Sequence, residues 1–215
     1  TGLYSTLIQQ DEDLPTCEVT VQLDAHKQAT YVIPEPVSWD NIAANDDLIT
    51  AAKKAQAIVF GSLACRGGIT RNTLRTMLDE SSALKVFDVN LRAPHYRKEI
   101  IETLINQAQV VKMNNDEADL LISGSGSLQD KVTEFQKAYH SQTIIVTRGA
   151  EGALVWHDEH FYAHPGYQVA ITDTVGAGDA FLATFIAGLL RNGAIPQVLD
   201  RACKIGAFVT TQRGS

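Results

Sequence analysis

Four short, almost continuously apolar runs lie along the middle of the chain: AIVFGS (57–62), LKVFDVN (84–90), AQVVKMN (108–114) and TIIVTRG (143–149). A strand that is apolar on both faces has to be covered on both faces, which is the condition of a parallel sheet held between helices. The intervening stretches supply the helices: TRNTLRTMLDE (70–80), YRKEIIETLINQ (96–107) and a region reaching about residue 139. The alternation predicts an α/β fold, with a doubly wound, largely parallel (Rossmann-like) sheet flanked by helices.

Before this series, CEVTVQLDAHKQATYVIP (17–34) alternates apolar and polar residues on both sides of a polar turn, Asp24 to Lys27. It predicts a β-hairpin with one face to cover. After the series come a second hairpin, ALVWHDEHFYAH (153–164), a short strand near QVAI (168–171) and a last helix over about 196–211. No repeat, low-complexity segment or long linker interrupts the chain. The expected organisation is therefore a region 1–40, holding the end of an N-terminal part and the small hairpin of about 17–34 as a lid, followed by an α/β core over 41–215.

Ligands of such sheets sit at the carboxyl ends of the strands, so the residues closing each run carry weight. Asp88, Asn90 and Arg92 close the second; Lys112, Asn114 and Glu117 the third; Thr147 and Gly149, with Gly152 following, the fourth. Each has a structural reading of its own. Asn114 can cap a helix with Glu117 as its capping-box partner, Arg92 can pair with Asp88 or Asp40, and Thr147-x-Gly-x-x-Gly can be a plain turn before a hairpin.

The stretch DTVGAGDAFLATFIAGLL (173–190) adds a further element. Gly176, Ala177 and Gly178 lead straight into an apolar run too long for a strand, so they read as a helix start, either one whose bare N–H groups attract an anion, most often a phosphate, or a Gly-rich turn that lets the helix pack closely on the sheet. Asp179, in the first turn, is either a partner for the helix dipole and a cap, or a carboxylate placed to take a proton from an attacking hydroxyl. No Gly-x-x-x-x-Gly-Lys-Ser/Thr sequence occurs, which excludes an ordinary P-loop ATPase.

Composition narrows the partners. With 215 residues, 45% of them apolar, the chain can bury one substantial core. A net charge of −7 and the lack of a basic cluster argue against nucleic acid. Cys17, Cys65 and Cys203 are odd in number and far apart, as reduced packed thiols are, which suits a cytoplasmic protein. No apolar stretch reaches ~18 residues, so no membrane partner is expected. His157, His160 and His164 fall together on the second hairpin without a carboxylate or thiol partner and read as an exposed hairpin, not a metal site.

DTVGAGDAFLATF (173–185) resembles the C-terminal signature of the ribokinase-like (PfkB) carbohydrate kinases. Asn114-x-x-Glu117 and Thr147-x-Gly149-x-x-Gly152 precede it in that family's order, and PTCEVTVQLD, SWDNI, FGSL and DVNLR are most similar to fructokinase-type members. Thr184 departs slightly, since Ala or Gly is usual there. The family's opening strand and Gly-Gly-x-x-x-Asn stretch do not occur after Thr1, so the resemblance implies that an N-terminal portion of such an enzyme, with much of the sugar pocket, is absent.

The resemblance implies a nucleotide- and sugar-binding core that phosphorylates a sugar hydroxyl with ATP. Fructose is the first expectation; 2-keto-3-deoxygluconate, ribose, a nucleoside, or a non-catalytic binding protein on the same scaffold are the alternatives. Asp179 would be the base, and the N–H groups around Gly176, Ala177 and Gly178 would hold the transferring phosphoryl. Asn114 and Glu117 would organise Mg²⁺ near the ATP phosphates, and Thr147, Gly149 and Gly152 would line the nucleotide site. Asp173 and the Val175 carbonyl resemble part of a K⁺ site. Thr16, Asn90 and Arg92 are the sugar-side candidates. A two-stranded hairpin is too small to cover its own apolar face, so the lid is expected to pack on its copy in a homodimer.

Overall fold

The computed structural model describes residues 5–23, 29–122 and 124–213. The first hairpin consists of β1 (Thr20–Leu23) and β2 (Ala29–Val32), paired antiparallel from Thr20 opposite Val32 to Leu23 opposite Ala29. Its turn, Asp24 to Lys27, lies outside the described residues. The hairpin's stem is fastened to the core by Arg66. The Nε and Nη2 of Arg66 donate to the Asp40 carboxylate at 2.8 and 2.6 Å, Nη2 also reaches the Pro34 carbonyl at 2.7 Å, and the guanidinium carbon lies 4.1 Å above the Trp39 ring.

After α1 (Asp46–Lys54), the four apolar runs form β3 (Ala57–Gly61), β4 (Leu84–Asp88), β5 (Val110–Asn114) and β6 (Thr143–Thr147), all parallel. They are joined through α2 (Gly68–Glu80), α3 (Lys98–Gln107) and the pair α4 (Asn115–Leu121) and α5 (Leu128–Tyr139). The antiparallel β7 (Ala153–His157) and β8 (His160–His164) complete a six-stranded sheet in sequential order, β3 to β8. Their two-residue turn places Asp158 and Glu159 at φ 45° and 65°, the left-handed pair whose twist matches that of a hairpin. This is the expected flanked α/β sheet.

Sequential order decides where the helices go. When every crossover advances the sheet by one strand in the same direction, crossovers of one hand put their helices on one face. Leu78, Ile105, Val132 and Phe135 of these helices accordingly form one core with Phe87, Val111, Met113 and Ile144. The opposite face is covered by the last two helices, α6 (Ala177–Leu189) and α7 (Ile195–Thr210), through Phe181, Phe185, Leu199 and Ala202 against Val86, Val110, Ile145 and Val155.

The strand expected near QVAI does not form. Val169 and Ile171 are exposed, and the next two N–H groups, of Thr172 and Asp173, donate to the Thr210 carbonyl at 2.8 and 3.2 Å. The segment is tied to the end of α7 and not to a sheet edge. The three cysteines are unpaired, two of them buried, and no helix among the described residues is long and apolar enough to cross a membrane.

Candidate active site

Strand register assembles the polar strand ends into rows. Gly61 pairs with Asp88 and Asp88 with Lys112; two residues further on, Asn114 pairs with Thr147 and Thr147 with Ala153. Side chains alternate along a strand, so Asp88 shares the face of Val86, and Lys112 that of Val110, both in the core beneath α6. Register partners on one face touch. Lys112 Nζ donates to Asp88 Oδ1 at 3.0 Å and to Oδ2 at 3.3 Å, with about a tenth of each side chain exposed. Burial pushes the Asp88 carboxyl above its ordinary value against the opposing pull of Lys112, and the charges of Glu117 and Asp179 add to the rise.

The start of α6 descends onto this pair. Gly176, at φ 77°, occupies the position before the helix in a left-handed conformation that favours glycine. Lys112 Nζ stands 3.4 Å from where a side chain on Gly178 would begin. Of the three N–H groups expected to be bare, that of Ala177 is turned to the Thr174 carbonyl at 3.3 Å. Those of Gly176 and Gly178 meet no backbone acceptor among the described residues, and neither does the next one, of Asp179. Asp179 is exposed and is not the helix cap, a position Gly176 holds.

Gly61, Asp88, Asn90 and Asp179 share one cavity of about 280 Å³. Asn90 is held there at φ 39°, a conformation uncommon for a residue other than glycine. Its carbonyl accepts from Ser62 Oγ at 3.3 Å, and the next N–H, of Leu91, donates to Glu117 Oε1 at 2.7 Å. Thr16 and Arg92 lie outside this cavity, both exposed. The pairings considered for Arg92 are not made: Asp88 is bound to Lys112 and Asp40 to Arg66, while Arg92 Nη1 donates to the Leu91 carbonyl at 2.9 Å.

On the other side of Gly178, a cavity of about 330 Å³ brings together Thr147, Gly149, Gly152, Ala177 and Gly178, with Tyr167, Phe181 and Cys203 among its walls. Gly206 allows the approach of α7 that closes it, since a side chain there would begin 3.3 Å from the Ala177 carbonyl. Gly152 is required by packing: at φ 78°, a side chain would begin 2.0 Å from the His164 carbonyl oxygen. Cys203 is buried, which raises its thiol to about 11.

Asn114 and Glu117 form the anticipated capping box of α4: Asn114 Oδ1 accepts the Glu117 N–H and Glu117 Oε2 accepts the Asn114 N–H, both at 2.8 Å. Asp173 Oδ1 accepts the Val175 N–H at 3.0 Å. No group of three or more His, Cys, Asp or Glu among the described residues is placed to hold a metal. His157 bonds Thr143 Oγ1 at 2.7 Å, and His164 meets Asp200 at 3.2 Å.

Sequence reasoning did not assign a role to Lys112 or Arg66. The signal for the first was present: a lysine inside VVKMN, a run covered on both faces, requires an acidic neighbour on an adjoining strand.

Phosphoryl transfer needs donors that take up spreading negative charge and an acceptor for the attacking hydroxyl's proton, and the start of α6 carries an open N–H group at Gly178 and an exposed carboxylate at Asp179, each residue lining one of the two cavities. The class of protein follows from the family comparison. The chain belongs to the pfkB family carbohydrate kinases, whose model matches residues 1–215. It is thus a sugar kinase, a phosphotransferase. Among curated relatives, it is 30% identical to a fructokinase of Salmonella typhimurium over 95% of this chain and 71% of that one. Among solved structures, it resembles an uncharacterized sugar kinase from Pyrococcus horikoshii in complex with ATP, at 25% identity and TM-score 0.78, over 95% of this chain and 68% of the other. An aminoimidazole riboside kinase from Salmonella enterica, complexed with aminoimidazole riboside and an ATP analog, matches at 25% identity and TM-score 0.74, over 97% and 71%.

Proposed function

We propose that the protein transfers the γ-phosphoryl group of ATP to a hydroxyl of fructose, with Asp179 as the base. The observation that carries this is the placement of Asp179: it caps nothing, and it shares the cavity of Asn90 one residue from the bare N–H of Gly178. A sugar hydroxyl in that cavity would lose its proton to Asp179 as its oxygen attacks. The N–H groups of Gly178 and Asp179, and the Lys112 ammonium behind Gly178, would hold the transferring phosphoryl oxygens. Asn90 orients the sugar from the cavity wall; Thr16 and Arg92 reach it only from outside the cavity.

ATP fits the cavity of Thr147, Gly149 and Gly152, whose apolar wall leads to the α6 start. The donor set near it suits a cation carried by phosphates and water, since the Asn114 and Glu117 oxygens already accept backbone N–H groups and no cage of His, Cys, Asp or Glu forms among the described residues. Mg²⁺ would neutralise phosphate charge there, with Asn114 and Glu117 beside its waters. Asp173 and the Val175 carbonyl are the proposed K⁺ ligands. The β1–β2 hairpin would serve the core as a lid and join two copies into a homodimer.

The test is Asp179→Asn. The exchange keeps size and removes the proton acceptor, so phosphorylation falls by at least ~10² while melting temperature and ATP binding stay near the parent's. A variant that keeps most of its turnover sinks the assignment. Fructose should exceed aminoimidazole riboside and ribose in kcat/KM; the reverse order overturns the choice of sugar.

A further inference from the structure

We infer that Glu117 is a positioning residue that fastens the sugar-side loop to the nucleotide-side helix through its two carboxylate oxygens. The inference rests on the sugar-kinase reading above for its functional consequence. Glu117 is 5% exposed, and its oxygens are divided between two backbones. Oε2 accepts the Asn114 N–H at 2.8 Å, three residues away, which is the local half of the capping box. Oε1 accepts the Leu91 N–H at 2.7 Å, 26 residues away, in the loop after β4. A capping box needs only the first bond; the second joins two strand ends.

What the second bond holds is Asn90. A non-glycine residue keeps a φ of 39° only where its surroundings impose it. The single peptide unit that joins Asn90 to Leu91 is held at both ends, Ser62 Oγ donating to the Asn90 carbonyl and Glu117 accepting the Leu91 N–H. The first is long at 3.3 Å; the second is short and charge-assisted. Glu117 therefore sets where the Asn90 amide stands in the cavity of Asp179, while its other oxygen sets the start of α4 beside the nucleotide. Glutamine is a poor substitute, because its NH₂ group would face an N–H where an acceptor is required.

The first readout is amide exchange of the parent without metal or ligand. The Leu91 amide, in a loop and bonded only to Glu117, should be protected; an unprotected amide overturns the inference. In Glu117→Gln it should exchange at least ~10-fold faster, the scale of one charge-assisted hydrogen bond, with residues 110–113 of β5 unchanged. The second readout is fructose binding by calorimetry in EDTA without nucleotide, which Glu117→Gln should weaken by about tenfold. A residue that only organises metal would leave metal-free sugar binding alone. Unchanged exchange at Leu91 overturns the inference, as does faster exchange with unaltered sugar binding. Failure of the Asp179→Asn test would leave the exchange result standing.

Discussion

Lys112 and Asp88 are register partners on adjacent parallel strands, their charged groups 3.0 Å apart beneath Gly178. Removing one member of a buried pair strands the other, which costs far more than the pair itself contributes. Lys112→Met should therefore lose about 3–5 kcal/mol, a fall in melting temperature on the order of 10 °C, and Asp88→Asn in the same chain should recover most of it. The Asp88 carboxyl lies above its ordinary value, so the native state binds the proton more tightly than the unfolded chain does, and this group's contribution to stability falls as pH rises through the folded value. Without Lys112 that value rises further. The deficit of Lys112→Met should be larger at pH 7 than at pH 4, and an equal deficit at both would remove Asp88 from the explanation.

Asp40 behaves in the opposite sense. Burial raises its carboxyl, but the hydrogen bonds from Arg66 and the Val37 N–H, together with the charges of Arg66 and His95, leave it below its ordinary value of 3.8. A depressed carboxylate contributes stability above the unfolded value and loses it as pH falls through the folded one. Acid melting curves below pH 4 should be less steep in Asp40→Asn than in the parent, and the variant should be less stable than the parent at neutral pH. Parallel curves would show that the Arg66 pair does not contribute to acid unfolding.

The strands were legible because an apolar run covered on both faces has few other destinations, and β3 to β6 lie within the runs that announce them. The α6 start was legible because Gly176 to Gly178 is a rare juxtaposition before an apolar helix. Side-chain pairing was not. Asp88 lies four residues from Arg92 and twenty-four from Lys112, yet register, which only the assembled sheet defines, places Lys112 beside it. QVAI failed for a related reason: its pattern suits a strand, but the adjoining donors find the end of α7.

Gly149 and Gly152 belong to one motif and lie on one cavity, but packing separates them. A side chain on Gly149, at φ 57°, meets nothing within 4 Å, so Gly149→Ala should cost about 1–2 kcal/mol of left-handed strain and leave the fold intact. On Gly152, it begins 2.3 Å from the Gly166 N and 2.0 Å from the His164 carbonyl oxygen, both backbone atoms. Gly152→Ala should melt at least ~10 °C below Gly149→Ala or fail to accumulate, as a forced backbone shift requires. Equal melting temperatures would contradict the packing.

Tyr167 is a wall of the cavity proposed for ATP, and its position is set from outside it. Its hydroxyl donates to Asp200 Oδ1 at 2.6 Å, an oxygen that His164 Nε2 also approaches at 3.2 Å. Because the Gly166 N–H donates to His164 Nδ1 at 3.0 Å, that nitrogen carries the lone pair and Nε2 the proton, so both groups deliver a hydrogen to the same carboxylate. The bond to Asp200 raises the Tyr167 hydroxyl above its ordinary value, and Tyr167 lowers Asp200 in return. Asp200→Ala removes the acceptor for both and frees the ring that lines this cavity. The KM for ATP should rise roughly threefold to tenfold, the scale of one exposed charge-assisted hydrogen bond, and Tyr167→Phe, which keeps the ring, should raise it less. The KM for the sugar should not move, because the cavity of Asn90 and Asp179 lies on the other side of Gly178; a matching rise there would mean that Asp200 supports the fold as a whole and not this wall.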